Sequence, residues 1–520
     1  MKKRSGLFAR RLLRALLSPT ALIGFFLFVQ LVVSVALLAV LGLRFTLLFL
    51  VLILLSLLVS IALFDRDTSC PSYKLMWLWL FILLPLVGEL MYFLWGRQGL
   101  FPKKESAFRA AEQQADAARR QDGTALRQLE ALDTGLACQA RYLAHEHNPL
   151  YSGTQAQYFG EGAPLLYALL EALEQAEHSI WMEYFILDED STCWSRLAAL
   201  LCRKAAAGVD VRLVYDAVGS LFTFSEKTAD ALRVQGVRCH AFNPVRFSAH
   251  LSDYGFLNHR DHRKLCIIDG KTGFLGGVNL ADEYFDLAQP YGVWKDAALQ
   301  LSGPAVDSLC CTFLKIWGIV SKDAPPAPNL SPAPLSTPDD LLVQPFDDSP
   351  LDTEAVSQNA YSNLLRHARR YVWITTPYLV PEHSMIESLC LTAKSGVEVR
   401  IITPGIPDKK AVFLVTRSFY RQLMTSGVRI YEYTPGFVHS KMFLGDDKTA
   451  IVGSANMDFR SLYLHFENGG AFYGGQILCD IRSDFERMFT FCHEVTLQEL
   501  HFPLHIRLAQ LLLRFFAPLL

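Results

Sequence analysis

Charge is scarce in this sequence, and neither sign prevails. Only 19% of the 520 residues are charged, with 49 basic residues against 51 acidic ones. That balance removes the electrostatic case for a nucleic-acid-binding protein, although a local basic groove would be hidden within it. Paired cysteines are also missing. The eleven cysteines are scattered, form no CxxC pair or zinc-type spacing, and are odd in number. Free thiols in a reducing compartment are therefore expected. No small-residue cleavage site follows the hydrophobic N-terminus, which argues against a removable signal peptide. No His, Asp or Glu cluster stands out at metal-ligand spacing, so neither a metal nor another cofactor is expected.

What is abundant is apolar, at 51% of residues. After "MKKRSGLFARRLLR", which has six basic residues and no acid, apolar runs cover 21–43, 45–64 and 75–95. Each is long enough to cross a hydrocarbon core. Residues 1–100 therefore read as a retained membrane anchor of two to three segments. The basic start, with Arg97, Lys103 and Lys104, favours the cytoplasm for both the N-terminus and the body. Three full crossings cannot satisfy both. Either the first pair forms fewer than two complete spans, or the third, carrying Pro85 and Gly88, is re-entrant. Glu89 in that third run is either a functional carboxylate or one that faces another helix.

Residues 101–150, rich in Ala, Glu, Gln and Arg, read as a helical connector. Beyond it the chain repeats itself. "QAEHSIWMEYFI" (175–186) is answered by "RHARRYVWITTPYLV" (366–380), and "AAAGVDVRLVYD" (205–216) by "AKSGVEVRIITP" (393–404). The Pro-rich stretch 323–338 separates the copies. The expected plan is α/β: N-terminal transmembrane helices, then similar units at 151–320 and 341–500 joined by a linker at 321–340, with one site shared between them. The tail 501–520 sets Arg507 and Arg514 among leucines. That amphipathic segment either lies on anionic lipid or packs on the body.

The last repeat carries chemistry. "HRKLCIID" (262–269) is matched by "HSKMFLGD" (439–446), and both units read H-x-K-x4-D-x6-G-[GS]-x-N. The motif residues are His262, Lys264, Asp269 and Asn279 in one unit, and His439, Lys441, Asp446 and Asn456 in the other. Strand alternation puts each His and Lys on one face and the Asp on the other, where it braces the hairpin. If residues 269–272 close a two-residue hairpin loop, Asn279 falls opposite His262. A turn at Asp447-Lys448 likewise sets Asn456 opposite His439. The small pairs Gly276-Gly277 and Gly453-Ser454 would let a ligand approach the backbone. Two such clusters suit a phosphoryl centre: one neutral imidazole attacks, the other donates a proton, and Lys and Asn hold the oxygens. Cys266 shares the parity of His262, but its apolar neighbours favour a buried spectator over a redox switch.

These motifs resemble the HKD signatures of the phospholipase D superfamily, and more closely those of bacterial cardiolipin synthases. The resemblance rests on "NHRDHRKLCIIDGKTGFLGGVNLADEY" (258–284), "TPYLVP" (376–381), "HSKMFLGDDKTAIVGSANMDFRSLYLHFE" (439–467) and the anchor segment "LPLVGELMYFLWGR" (84–97). It covers nearly the whole chain. It implies two phospholipase D-type units and the condensation of two phosphatidylglycerols into cardiolipin and glycerol through a phosphatidyl-histidine. His262 would be the nucleophile and His439 the general acid, with the reverse assignment open. Lys264, Lys441, Asn279 and Asn456 would hold the phosphate. Asp269 and Asp446 complete the catalytic motifs. Asp296 ("VWKDAALQL") and Glu467 ("LHFENGG") resemble acidic positions of the superfamily and would orient His262 and His439 respectively. The chain departs from the family at His465, where Asn is usual, and in what reads as an extra anchor span.

The implied partners are phosphatidylglycerol and membrane lipid, without nucleic acid. The implied location is the bacterial cell membrane, multi-pass, with the catalytic body in the cytoplasm. A phospholipase D-type hydrolase or nuclease would use the same histidines, and the retained anchor and charge balance favour the transferase over it. A catalytically dead scaffold would have lost at least one His or Lys, and all four are present.

Overall fold

The computed structural model of the protein describes residues 43–64, 70–85, 87–92, 96, 102–119, 123–244, 258–321, 334–336, 340–351 and 354–519, together with Val32, Val35, Ala36 and Ala39. Most of the first apolar run and of the Pro-rich linker lies outside these residues. The second run forms helix α1 (Leu43–Phe64). Its stretch Leu47–Phe64, with a mean hydropathy of 3.2, is the one helix among the described residues long and apolar enough to cross a membrane. The third run is not a single span. Helix α2 (Pro71–Leu83) stops ahead of Pro85, and the chain resumes as the short α3 (Val87–Met91). Proline lacks the N–H that would continue the helix and clashes with the preceding turn. Glu89 on α3 accepts a hydrogen bond from Ser56 of α1, so it faces another helix.

The body is built from two sheets with one plan. The first unit contributes β1 (Gln155–Phe159), β2 (Ser179–Tyr184), β3 (Asp210–Asp216), β4 (Arg238–Phe242), β5 (Arg260–Asp261), β6 (Lys264–Ile268), β7 (Thr272–Gly276), β8 (Val293–Lys295) and β9 (Ala298–Ser302). The second contributes β10 (Leu342–Asp348), β11 (Tyr371–Thr375), β12 (Glu398–Pro404), β13 (Arg429–Tyr433), β14 (Gly436–Val438), β15 (Met442–Gly445), β16 (Thr449–Gly453), β17 (His465–Tyr473) and β18 (Cys492–Glu494). The strand orders are β1-β9-β7-β6-β2-β3-β4 and β10-β17-β16-β15-β11-β12-β13-β18. The second order repeats the first and adds β18 at the edge. In each unit a motif strand, β6 or β15, lies at the centre, antiparallel to β2 or β11.

Central strands are covered on both faces, so they read as continuous apolar runs without alternation. The alternation reappears in where the side chains go. Leu265 and Ile267 of β6 join an apolar cluster with Met442, Leu444, Val452 and Phe466 of the other unit. Cys266 and Ile268 face helices of their own unit instead. Burial pushes the Cys266 thiol well up, as befits a core residue. The two sheets thus pack face to face through a shared core, and the two motifs belong to one body.

Both motif hairpins turn one residue earlier than the spacing predicts. Ile268 opposes Thr272 and Gly445 opposes Thr449. The turns are closed by Lys271 N–H to Ile268 O (3.0 Å) and Lys448 N–H to Gly445 O (2.9 Å). Their central residues, Asp269-Gly270 and Asp446-Asp447, all have φ between 54° and 62°. Left-handed backbone suits Gly and is tolerated by Asp, which fixes the turn there. The expected pairings of Asn279 with His262 and Asn456 with His439 are lost by that shift.

Helix α4 (Phe459–Tyr463) joins the anchor to the body. Tyr73 of α2 stacks on Phe459 with centroids 5.4 Å apart, inside a cluster that includes Trp77, Leu80, Phe81 and Leu464. The C-terminal helix α5 (Leu504–Phe515) divides its faces. One side rests on helix Lys410–Met424, where Gln510 donates to Leu414 O (3.2 Å) and Arg514 lies 4.1 Å over Phe419. The other leaves Leu504, Leu508, Leu511 and Leu512 exposed.

Candidate active site

Each motif histidine sits just ahead of its central strand, immediately after a short lead-in strand that has left its own sheet. β5 runs parallel to β17 of the second unit, and β14 runs parallel to β8 of the first. The exchange is symmetrical to the residue. His262 N–H donates to Phe466 O (2.9 Å) and His439 N–H to Lys295 O (2.7 Å). In both cases the acceptor immediately precedes an acid, Glu467 or Asp296.

The acids therefore cross over. His262 Nδ1 lies 2.9 and 3.0 Å from the oxygens of Glu467, and His439 Nδ1 lies 2.6 Å from Asp296 Oδ2. This reverses the expected pairing, in which Asp296 served His262 and Glu467 served His439. The reason is topological: each lead-in strand pairs with the other unit, so the nearest acid comes from there. An ionised carboxylate only accepts, so each Nδ1 carries the hydrogen and each Nε2 is left bare.

The small residues before the asparagines serve the acids rather than a ligand. A Cβ at Gly277 would collide with the Asp296 carboxylate. Ser454 Oγ, at the equivalent place, donates to Glu467 Oε2 (2.5 Å). The lysines curl back, so that Lys264 Nζ donates to His262 O and Lys441 Nζ to His439 O. The motif aspartates lie away from the histidines. Asp269 accepts from the N–H groups of Glu177, His178 and Ser179 at 2.7–2.9 Å. Asp446 does the same for Arg369, Arg370 and Tyr371 at 2.6–2.8 Å. Each ties its hairpin to the start of the neighbouring strand. Asn279 donates to Tyr284 Oη (2.9 Å) and accepts from Ile186 N–H (3.1 Å). Asn456 donates to Asp458 Oδ2 (3.1 Å).

Burial governs the protonation of the site. It pushes His262 down to about 3, against the opposing pull of Glu467 and with help from Lys264 and Lys441. His439 falls to about 4 through burial and through Lys441, whose Nζ lies 2.9 Å from Nδ1. Burial also draws Lys264 down to about 7 and Lys441 to about 8. Glu467, despite burial, is held well below the usual carboxylate range by His262, His465 and Lys264. The resting site thus holds ionised acids beside neutral imidazoles, which is the nucleophilic form.

Several neighbours carry no motif signal. Phe185 meets the His262 ring edge-on at 4.8 Å. Tyr284, Trp294 and Phe437 surround His439 at 5.3–6.0 Å. Trp294 and Phe437 stand two residues before Asp296 and His439, a spacing that puts them on the same strand face. His465 lies 5.3 Å from His262, and Arg460 Nε donates to its Nε2 at 3.4 Å. His262, His465 and Glu467 bring ligand-type atoms within 4.8 Å of one another, the one such group among the described residues. Lys264 and Arg460 act on this group electrostatically, which favours an anion there over a cation.

Comparison with known proteins agrees with this geometry. The family described as "Cardiolipin synthase, PLD-like domain" matches residues 169–317 and again 361–489. "Phospholipase D-nuclease N-terminal" matches residues 48–97. The crystal structure of phosphatidylserine synthase from Haemophilus influenzae Rd KW20 has the same fold, with a TM-score of 0.57 over 73% of this chain and 97% of that one at 15% identity. The chain is thus an enzyme of the phospholipase D-type phosphatidyltransferase class. An uncharacterized protein of Streptococcus mutans serotype c is 40% identical over 72% of this chain and 80% of its own length. Cardiolipin synthases of Geobacillus sp. (strain WCH70) and Bacillus anthracis, the latter cardiolipin synthase 2, are each 34% identical over 86% of this chain and 89% and 87% of theirs. Within its class the chain belongs to the bacterial cardiolipin synthase family, and it is membrane-associated.

Proposed function

We propose that the protein condenses two phosphatidylglycerols into cardiolipin and glycerol in a double displacement at the paired histidines. The observation that carries this reading is the reciprocal exchange, which sets two imidazoles with free Nε2 atoms in one enclosed, lysine-lined site. His262 Nε2 attacks the donor phosphorus. The bond from phosphorus to the headgroup glycerol breaks, and His439 Nε2–H protonates the departing oxygen. The terminal hydroxyl of a second phosphatidylglycerol then gives its proton to His439 and attacks the same phosphorus, and the P–N bond to His262 breaks. Lys264 and Lys441 offset the charge that develops on the oxygens.

Two features favour His439 as the proton carrier. The rings of Tyr284, Trp294 and Phe437 around it favour an imidazolium. His262 instead sits against Phe185 and His465, so fewer aromatic faces surround it. Burial favours the neutral form of both rings, and a phosphodiester anion beside His439 raises it into its acid form. The body lies on the cytoplasmic side of a multi-pass anchor in this reading, in accord with eleven free cysteines and basic flanks at both ends of the anchor.

The test uses the full-length protein in vesicles of phosphatidylglycerol, with lipids and free glycerol measured and His262→Ala as control. Cardiolipin and glycerol in equal amounts, absent from the control, are expected. Phosphatidic acid without cardiolipin would make the protein a hydrolase instead.

A further inference from the structure

The mechanism leaves one enclosed cation unused. Buried arginines elsewhere in this protein are matched by acids: Arg260 by Asp216 at 2.9 Å, Arg263 by Glu183 at 2.7 Å, and Arg119 by Asp347. Arg460 breaks that pattern. Among the described residues no carboxylate stands within ion-pairing distance of it; Asp458, two residues back, acts on it only at longer range and is engaged with Ser461 N–H (2.8 Å) and Asn456. Burial pushes the guanidinium down, yet the side chain keeps an accessible part. An enclosed charge without a partner is costly, and a guanidinium has a fork of donors shaped for a phosphate.

Its position identifies which phosphate. On one side Arg460 touches His465, whose ring lies beside His262. On the other it feels Tyr73 of α2, which stacks on the adjacent Phe459. Arg460 therefore lies on the seam between the reacting histidines and the membrane-associated helices. An anion that reaches this seam with its tails in the bilayer is a phospholipid phosphodiester. The donor phosphate is already served by His262, His439, Lys264 and Lys441. The acceptor brings a second phosphodiester, joined in the product to the first through a single glycerol, so it must lie beside the reacting phosphorus rather than at it.

We propose that Arg460 binds the phosphodiester of the acceptor phosphatidylglycerol, with His465 as the neutral spacer between the two phosphate positions. The inference rests on the cardiolipin synthase reading above. Arg460 is a positioning residue for the second half-reaction, setting the acceptor hydroxyl toward the phosphatidylated His262.

The two half-reactions can be read separately with the full-length protein in phosphatidylglycerol vesicles. Exchange of labelled glycerol into phosphatidylglycerol uses the donor site and both histidines but no acceptor phosphate. Cardiolipin formation uses the acceptor phosphate as well. The ratio of cardiolipin formation to glycerol exchange is expected to fall about tenfold or more in Arg460→Gln and by less in Arg460→Lys. A structural role for Arg460 would lower both activities together and leave the ratio unchanged, which would overturn the proposal. If Arg460→Gln loses exchange altogether, the ratio in Arg460→Lys decides in the same way. Absence of labelled exchange in the unaltered protein would instead mark failure of the double-displacement reading itself.

Discussion

At the scale of residues, the site depends on two carboxylates that each arrive from the opposite half of the chain. Glu467 holds His262 through Nδ1 and is itself held by Ser454; Asp296 holds His439 in a space that only Gly277 permits. Removing the negative charge while keeping the shape disturbs the tautomer and leaves the imidazolium unsupported. Glu467→Gln and Asp296→Asn are each expected to lower cardiolipin formation by at least about a hundredfold, by analogy with the orienting acid of a catalytic triad. Near-normal turnover in either variant would contradict the assignment. The same burial sets a pH dependence of stability. His262, His439 and His465 have folded values near 3, 4 and 3, against an ordinary 6.5. Below pH 6.5 the unfolded chain takes up protons that the folded chain refuses, so this stability is present above 6.5 and is lost as pH falls toward about 3. Thermal unfolding should show a lower Tm at pH 5 than at pH 7, with a shallower decline in His465→Asn. A Tm unchanged across that range would show that these rings titrate normally.

At the scale of elements, the motif aspartates do their work through the neighbouring strand. Asp446 gathers three N–H groups at the start of β11, and Asp269 does so at the start of β2. Asp446→Ala strips those donors of their acceptor and places Ala at a φ of 57°. The expected cost is about 2–4 kcal/mol of stability, read as a lowered denaturation midpoint, and the larger loss falls on folding rather than on the chemistry of correctly folded protein. An unshifted midpoint with lost activity would instead make Asp446 a catalytic group. The hairpins themselves were legible in the sequence from the apolar run, the turn residues and the repeat. Their register was not. Asp is compatible with either position of a tight turn, and only the anchoring of Asp269 and Asp446 on β2 and β11 places both inside it. For the third apolar run the sequence left a full span and a re-entrant segment both open, because hydropathy sums over Pro85, whereas the helix stops ahead of it.

At the scale of the whole molecule, duplication decides where the chemistry lies. Two sheets of equal strand order meet through a common core, and the lead-in strands β5 and β14 cross to the other unit. The repeat made both units readable, and the family resemblance pointed to Asp296 and Glu467, which the structure sets beside the histidines. That reading misassigned which histidine each serves, because chain proximity favours partners within a unit and the exchange of lead-in strands is a tertiary fact. Arg460 went unnoticed for the opposite reason. A lone arginine beside a motif says nothing until the absence of its counter-charge is visible. The anchor docks on α4 through Tyr73 and so borders this seam.

The central claim is that one shared site works with His262 as nucleophile and His439 as proton carrier. It is tested most directly by brief incubation of the full-length protein with labelled phosphatidylglycerol, an alkaline quench and peptide mapping. Label on the peptide that carries His262, lost when unlabelled acceptor lipid is added before the quench, is the predicted result. Label on the His439 peptide, or cardiolipin turnover with no label on either, would contradict it.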